Sequence, residues 1–298
     1  VVEEKRALVE TQIKEILFDS NITIKVIGKM DENGEPMFPS SGSLDPNHIA
    51  IIIGQNILKF KDNSKLKKKL LEIDYRLKPI KFSKKELIRS PYFCSGCPHN
   101  TSTVVPDGSI AMAGIGCHYM AQWMDRDTIG YTHMGAEGAN WIGLSPFSNR
   151  KHIFQNIGDG TYYHSGIMAI RAAVAANINI TYKILFNDAV AMTGGQGFDG
   201  PMSVMSVAKQ VLAEGVKLVN VVSDEPEKLA INSGFPQEVK IFDRKELDRI
   251  QREMREIEGV SVLIYVQVCA AEKRRRIKRG IIPEPERRIF INDIVCEG

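Results

Sequence analysis

The most informative part of this sequence runs from Ile153 to Gln196 and reads IFQNIGDGTYYHSGIMAIRAAVAANINITYKILFNDAVAMTGGQ. An apolar run at Ile153–Ile157 predicts a buried strand that ends on the turn Gly158-Asp159-Gly160. A helical pattern follows over Tyr162–Ala176, and a second apolar strand is predicted over Ile180–Phe186. This order of elements can bind a phosphate group in a parallel sheet. The glycines let the backbone approach the anion, and the helix start offers unpaired N–H groups.

The acidic residue in this turn points to a metal ion. A bare Asp159 carboxylate would repel a diphosphate, and a divalent cation between the two removes the conflict. Asn187, directly after the second strand, can supply a further oxygen ligand. A glycine–aspartate turn alone is common in loops, so the prediction depends on its place at a strand end with a helix behind it. GDG followed at this distance by Asn resembles the signature of thiamine diphosphate enzymes.

Composition excludes several classes of function. The 298 residues include 39 basic and 36 acidic ones, so no overall field for nucleic acid or membrane binding is expected. No apolar run reaches about 18 residues, and no signal peptide is visible, which predicts a soluble cytoplasmic protein. The first and last residues interrupt patterned sequence, so we expect a segment of a longer chain.

The first 85 residues predict a domain end and a linker. Residues 1–35 read as a helix over Glu3–Phe18 and a strand around Ile22–Ile27, the remnant of a small α/β unit. Residues 36–85 are predicted to be a linker. It contains a helix over Asn47–Phe60 and then a lysine-rich, solvated connector.

Residues 86–282 alternate between strand and helix patterns, whereas 283–298 read as the start of a following segment. Helices are also predicted over Val204–Glu214 and Arg244–Glu258. Further strands are predicted over Ser109–Gly114, Ile129–His133, Lys217–Val222 and Val262–Val268. Such alternation predicts an α/β fold with a doubly wound, mostly parallel sheet.

The cysteines form the second chemical pattern. Cys94 and Cys97 make a C-x-x-C pair, Cys117 closely follows a predicted strand, and Cys269 ends another. In a cytoplasmic chain such a pair is typical of a metal or redox site. Four thiolates suit a [4Fe–4S] cluster or zinc equally well.

Simpler explanations of the cysteines and histidines stay open at this point. A zinc site could include His99 or His118, and Cys269 by itself is typical of a free core thiol. His118, His133 and His164 are each expected to be hydrogen-bonded pocket or core residues rather than proton carriers.

Several longer strings carry a family resemblance. FCSGCPHNTST, THMGAEGANWIG, NDAVAMTGGQGFDGP and CAAEKRRRIKRG are similar to the large fused indolepyruvate:ferredoxin oxidoreductases of bacteria. These are members of the 2-oxoacid:ferredoxin oxidoreductase family. The N-terminal VVEEKRALVETQIKE resembles the end of their transketolase-C-like domain, so the chain resembles that end plus the thiamine diphosphate-binding domain.

The resemblance implies a set of site residues. Asp159, Asn187 and the backbone carbonyl of Ala189 would bind Mg²⁺, while a [4Fe–4S] cluster would use the four cysteines other than Cys296. The residues implied to contact thiamine diphosphate are His99, Cys117, Gly158, Asp159, Gly160, Thr161, Asn187, Ala189, Met192 and Thr193.

The resemblance also implies a reaction and partners. It is the oxidative decarboxylation of a 2-oxo acid with coenzyme A to an acyl-CoA, CO₂ and reduced ferredoxin, in a homo-oligomer. Pyruvate-specific members commonly carry an acidic residue near His99 and Asn near Met192, so the substrate implied is indolepyruvate. No catalytic residue is predicted, because the activating glutamate comes from a pyrimidine-binding domain of the same enzyme. We therefore expect this segment alone to be inactive, and Glu137 to be structural or on the substrate side.

Two alternatives compete with this interpretation. A non-oxidative thiamine diphosphate decarboxylase leaves the cysteines without a role. A zinc-stabilised binding domain uses GDG only as a turn. The basic run Lys273–Arg279 lacks interleaved aromatic residues, so it predicts a solvated or interdomain surface rather than a nucleic-acid site. Docking of an acidic ferredoxin is a further use for this run.

Overall fold

The chain divides into two compact units, Val1–Ile88 and Arg89–Gly298. The computed structural model describes residues 1–20, 22–77, 90–190, 192, 194–197, 200–231, 234–287, 289–292 and 294–295. Within these residues, no helix is both long and apolar enough to cross a membrane.

The first unit is helical. Its helices are α1 (Leu8–Asp19), α2 (Pro46–Phe60) and α3 (Ser64–Leu77). The second and third lie side by side, so closely that a Cβ on Gly54 would come within 2.7 Å of the Leu70 side chain. The lysine-rich stretch was predicted to be a connector, but part of it forms α3. Its few apolar residues share one face of this helix, and that face packs on α2.

The strand predicted over Ile22–Ile27 is not formed. The described residues of this unit contain a single bridge, which pairs Met30 with Pro36. A strand needs a neighbour along its length for its backbone hydrogen bonds, whereas this segment accepts one from the Val1 ammonium group, at 2.7 Å to the Ile27 carbonyl, and pairs with no strand in the described part of the unit. The proposed subdivision into 1–35 and 36–85 stays a prediction.

The second unit is built on a parallel sheet. Its order is β2-β1-β3-β4-β7-β5-β6 in the described residues, and each pair is parallel. The strands are β1 (Ala111–Met112), β2 (Thr128–Ile129), β3 (Ile153–Gly158), β4 (Ile180–Phe186), β5 (Leu218–Ser223), β6 (Lys240–Asp243) and β7 (Val260–Val266).

Helices cover both faces of this sheet. The α-helices are α4 (His99–Ser102), α5 (Ala139–Leu144), α6 (Asp159–Thr161), α7 (Ile167–Ala175), α8 (Val204–Ala213), α9 (Pro226–Ile231), α10 (Leu247–Met254) and α11 (Ala270–Lys278). On one face Ile184 packs in a core shared with α7 and α8, and on the other Leu185 packs against α10. Alternate residues of a central strand point to opposite faces, so both faces of β4 are buried. The predicted doubly wound fold is confirmed.

The elements differ from the predicted ones mainly at their ends. The first two strands are only two residues long, and β6 was not predicted. The helix after β3 begins directly at Asp159 and includes a π-helical turn over Tyr162–Gly166. A Cβ on Gly166 would overlap Ile157, so a glycine there lets the helix approach the strand.

One edge of the sheet collects the residues that the motifs singled out. The carboxyl ends of β1, β3, β4 and β7 are neighbours in the strand order. Cys117, Asp159, Asn187 and Cys269 follow these strands in the same order across the sheet. Parallel strands bring their carboxyl ends to one edge, where ligands of open α/β sheets bind.

Candidate cofactor site

A cavity of about 220 Å³ opens at this edge. The predicted contact residues that line it are His99, Cys117, Gly158, Asp159, Gly160, Thr161, Asn187, Ala189 and Met192. Thr193 and Cys296 lie outside the described residues. The structure therefore brings together every described member of the predicted contact set.

Asp159 is the buried acid of the cavity. Its Oδ2 atom accepts hydrogen bonds from the backbone N–H groups of Asn187 at 2.8 Å and Asp188 at 2.9 Å. The side chain is 3% exposed, and burial raises the pKa of its carboxyl group to about 6 against the effect of these hydrogen bonds. No lysine, arginine or histidine in the described part of the chain pairs with this carboxylate. Asp159 thus ties the end of β3 to the turn after β4.

Asn187 and Ala189 line the same cavity as this acid. The Asn187 side-chain oxygen accepts the N–H of Ala189 at 3.3 Å, and both residues are buried. Carboxylate, amide and carbonyl oxygens are the ligands that Mg²⁺ prefers. Among the described residues, no group of three or more His, Cys, Asp or Glu side chains could hold a metal ion. The predicted Mg²⁺ ligands include a single carboxylate. They suit Mg²⁺ because all of them are oxygen donors.

The four predicted cluster cysteines approach one another. Burial raises the pKa of the Cys97 thiol to about 11, and its neighbours Cys269, Cys94 and Cys117 raise it further. The pKa of Cys117 is also raised, first by burial and then by Cys269 and Cys94. All four thiols are free. Cys94 and Cys269 thus lie close enough to act on both half-buried thiols, although the described residues contain no group of three such side chains that could hold a metal ion.

Local backbone geometry places these thiols. Cys97 donates its N–H to the Cys94 carbonyl at 3.0 Å, which closes the C-x-x-C turn. Cys117 follows Gly116, whose φ of +149° favours glycine. Cys269 donates its N–H to the Asn187 carbonyl at 3.2 Å, so the last cysteine is attached directly to the turn after β4.

Two buried histidines form one wall of the cavity. The rings of His99 and His118 meet edge to face at 5.5 Å, and burial lowers their pKa values to about 4 and about 3. His99 shares a 3.3 Å hydrogen bond with Ser102, whereas Nε2 of His118 has no partner. His118 is buried and lines the cavity, as expected of a pocket residue, but the hydrogen bond expected of it is missing at Nε2. Its position next to Cys117 was the available signal that it belongs to the site.

Glu137 holds the loop that precedes Cys117. Its carboxylate accepts the N–H groups of Gly135 at 2.7 Å and Ile115 at 3.5 Å, and it is 1% exposed. Burial raises its pKa. It does not line the cavity, which favours a structural role.

The basic run forms α11, and three of its arginines make contacts within the chain. Arg274 donates to the Ser95 carbonyl at 2.7 Å, and Arg275 donates to the carbonyl of Gly194. Arg276 contacts Asp188. Arg274 is exposed, as expected of a solvated surface, whereas Arg275 and Arg276 are half-buried, because the helix lies between the cysteine turn and the loop after β4.

The strand-end acid, the glycine turn and the parallel sheet define a thiamine pyrophosphate-binding domain. The chain belongs to the family of thiamine pyrophosphate enzymes, because the model of their C-terminal TPP binding domain matches residues 114–265. The model of an indolepyruvate oxidoreductase domain matches residues 1–78. The resemblance drawn from the sequence strings is thereby confirmed.

Several known proteins are similar to this chain. The chain is 26% identical to the indolepyruvate oxidoreductase subunit IorA of Pyrococcus horikoshii, over 94% of this chain and 42% of that protein. It is 31% identical to the subunit of the same name from Archaeoglobus fulgidus, over 63% of this chain and 30% of that protein. The chain thus spans less than half the length of these relatives. A solved 2-oxoglutarate:ferredoxin oxidoreductase from Magnetococcus marinus is similar with a TM-score of 0.46 and 20% identity, over 61% of this chain and 66% of that one.

Proposed function

We propose that this chain is the thiamine diphosphate- and Mg²⁺-binding part of a 2-oxoacid:ferredoxin oxidoreductase. The observation that carries the proposal is the buried Asp159 carboxylate, which lacks a cationic partner in the described residues and lies at a glycine turn beside Asn187. A carboxylate buried without a counter-charge is costly, and a bound divalent cation would compensate it.

The chain's own residues would divide the work of holding the cofactor. Asp159, Asn187 and the Ala189 carbonyl would hold Mg²⁺, and the Gly158–Thr161 turn would hold the diphosphate. Thr193 would complete the diphosphate contacts. His99, Cys117 and Met192 would contact the thiazolium side, and the low histidine pKa values keep that wall neutral near pH 7.

The thiols would hold a [4Fe–4S] cluster beside the cofactor. Cys94 and Cys269 raise the pKa values of Cys97 and Cys117, and Cys117 also lines the cavity. A cubane spreads its ligands over four irons, so its thiolates lie farther apart than those of one zinc ion. Bound thiamine diphosphate would supply the electron sink for decarboxylation, and the cluster would supply a one-electron acceptor.

Indolepyruvate is the substrate that we propose, with coenzyme A as acyl acceptor and ferredoxin as electron acceptor. The relatives named above support it, as do the apolar side chains of Ile115, Met134 and Met192 that line the cavity. The complete enzyme would be a cytoplasmic homo-oligomer, and its pyrimidine-binding domain would supply the glutamate that activates the cofactor.

Cofactor binding tests the site directly. Asp159→Ala should abolish Mg²⁺-dependent thiamine diphosphate binding measured by calorimetry on the full chain. Asp107→Ala is a matched control, because Asp107 is an exposed acid in the loop before β1. Unchanged affinity in Asp159→Ala would refute the assignment.

The reaction requires a second experiment. Protein purified without oxygen should contain iron and acid-labile sulfide, and the intact polypeptide should reduce a viologen dye with indolepyruvate and coenzyme A. This segment alone should not turn over. Stoichiometric zinc without sulfide would refute the cluster, and a preference for pyruvate would refute the substrate.

A further inference from the structure

A second cavity, of about 620 Å³, lies at the edge of the sheet opposite to the candidate cofactor site. Its walls are the loop before β1, the segment that leads into β3 and the end of α10, all on the side where the parallel strands begin. Every residue that lines it is either polar or a glycine. Such a lining suits a charged or strongly polar ligand, because binding sites for apolar ligands are lined mainly by hydrophobic side chains.

Two arginines of this cavity are held in place by the loop before β1. Arg150 donates from its Nη1 atom to the Gly108 carbonyl at 3.2 Å. Arg255 donates from its Nη1 atom to the Asp107 carbonyl at 3.2 Å and to the Ser109 hydroxyl at 3.3 Å. A guanidinium group has five N–H donors, and the Nη2 donors of both arginines have no acceptor in the described part of the chain. Because both side chains are already positioned, little conformational entropy is lost when these donors bind an anion.

The histidine that lines the cavity is fixed as well. His152 hydrogen-bonds through Nε2 to the Thr181 hydroxyl at 2.8 Å, and this hydroxyl lies 2.8 Å from that of Ser261. Both hydroxyls are buried, so a chain of hydrogen bonds runs from the cavity across β4 to β7. The His152 ring also meets Phe154 edge to face at 4.8 Å. Only its Nδ1 atom is left without a partner among the described residues.

Positive charge in this cavity exceeds negative charge. Its two acids, Asp107 and Glu256, each lie 4.0 Å or less from the side chain of an arginine. Arg150 is half-buried and pairs with no carboxylate in the described residues. Lys151 is exposed, and its side chain makes no hydrogen bond or ion pair there. Two neighbouring cations without a carboxylate match the charge of a phosphate dianion.

We propose that this cavity binds the phosphate group of a small molecule, held by Arg150, Lys151 and Arg255. Arginine presents its N–H donors in a planar fork that matches two phosphate oxygens, and lysine adds a compact charge. The cavity is large enough to hold the organic part of a phosphate ester as well. The site shares no residue with the candidate cofactor cavity, so the inference does not depend on the proposed function.

Calorimetry on the full chain at low ionic strength, with inorganic phosphate and with AMP as probes, tests this site. Arg150→Gln removes the half-buried charge, and Lys151→Gln changes an exposed residue that makes no contact needed for folding. Arg279→Gln is the control, because Arg279 is exposed on the turn after α11 and its side chain makes no hydrogen bond or ion pair in the described structure. Nuclear magnetic resonance of the histidine rings, with His152 assigned from His152→Gln, reports where phosphate binds.

We expect saturable phosphate binding that is about tenfold weaker in Arg150→Gln, weakened by a smaller factor in Lys151→Gln and unchanged in Arg279→Gln. The ring signals of His152 should shift during the titration. Tighter binding of AMP than of phosphate would identify an organic phosphate ester as the ligand, and equal or weaker binding would identify free phosphate. If Arg150→Gln does not fold, Lys151→Gln against Arg279→Gln decides.

Two results would overturn the site. The first is a lack of phosphate binding, or equal affinity in the parent protein, Arg150→Gln and Lys151→Gln. The second is a shift of the His99 and His118 signals without one at His152, because these two rings line the cofactor cavity and would place the phosphate there.

Discussion

Arg276 holds Asp188 by two contacts: its Nη1 atom lies 2.9 Å from the Asp188 carboxylate, and its Nη2 atom donates to the Asp188 carbonyl at 3.2 Å. Asp188 has a φ of +58°, a conformation that costs energy for a residue with a side chain. Its N–H donates to Asp159 at 2.9 Å. An arginine on α11 thus stabilises a strained turn next to the proposed Mg²⁺ ligands.

We predict that Arg276→Gln weakens Mg²⁺-dependent thiamine diphosphate binding by about tenfold, or about 1.4 kcal/mol, the size expected for a lost charged hydrogen bond. Calorimetry on the full chain measures this affinity. Arg279→Gln should bind like the parent protein. Equal affinity in Arg276→Gln would mean that the turn holds its conformation without the arginine.

The cysteines give a prediction that needs no substrate. Cys117→Ser should strongly diminish the broad visible absorption of a reconstituted cluster, because it removes one of four ligands. Cys296→Ser should leave that absorption intact, since Cys296 is not in the proposed ligand set. A full spectrum in Cys117→Ser would exclude that residue as a ligand.

Gly138 and Gly143 differ sharply in what an added methyl group would meet. Gly138 has a φ of +87°, and a Cβ there would overlap the hydroxyl of buried Tyr182. Gly143 lies in α5, and a Cβ there meets nothing within 4 Å. Gly138→Ala should lower the free energy of unfolding by roughly 3 kcal/mol, whereas Gly143→Ala should raise it by about 0.5 kcal/mol. Urea unfolding followed by circular dichroism compares them, and similar values for the two variants would contradict the structure.

His152 gives a pH dependence of stability. It hydrogen-bonds to Thr181 at 2.8 Å, and burial, followed by the charge of Arg255, lowers its pKa to about 4. The unfolded chain binds the proton near pH 6.5, so the stabilising contribution is complete above that pH and is lost as the pH falls towards 4. The contribution is on the order of 3 kcal/mol.

The matched measurement uses His152→Gln, which can still hydrogen-bond to Thr181 but does not titrate. Urea unfolding between pH 7 and pH 4 should show a shallower loss of stability in the variant than in the parent protein. Parallel curves would show that His152 is protonated in the folded chain as readily as in the unfolded one.

Much of the candidate site could be predicted from the sequence. Ile153–Ile157 and Ile180–Phe186 are apolar runs that only a buried strand accommodates, and each ends on a polar residue. Once both are strands of one parallel sheet, Asp159 and Asn187 must meet at its edge. The N–H···O bond of 2.8 Å between them is the result.

Other features were missed because they depend on partners far away in the chain. β6 (Lys240–Asp243) is a short segment at the sheet edge that pairs with β5 and packs Phe242 on a core formed with α10. The expected strand over Ile22–Ile27 has no such neighbour in the described residues and is not formed. The roles of Arg274 and Arg276 could not be read from a basic run, because its charge pattern does not say which carbonyl or carboxylate lies opposite.

The sequence by itself therefore determined the class of fold, the chemistry of the acid and amide at the strand ends, and the family. These follow from local patterns of apolar residues and from turns that only certain residues can make. Only the tertiary structure decided that four cysteines from three distant segments lie near one another and, among the described residues, that Nε2 of His118 has no hydrogen-bond partner and that buried Lys183 pairs with no carboxylate. The burial of a side chain and its distance from other groups arise from how the elements pack. The free energies of charges and polar groups depend on both.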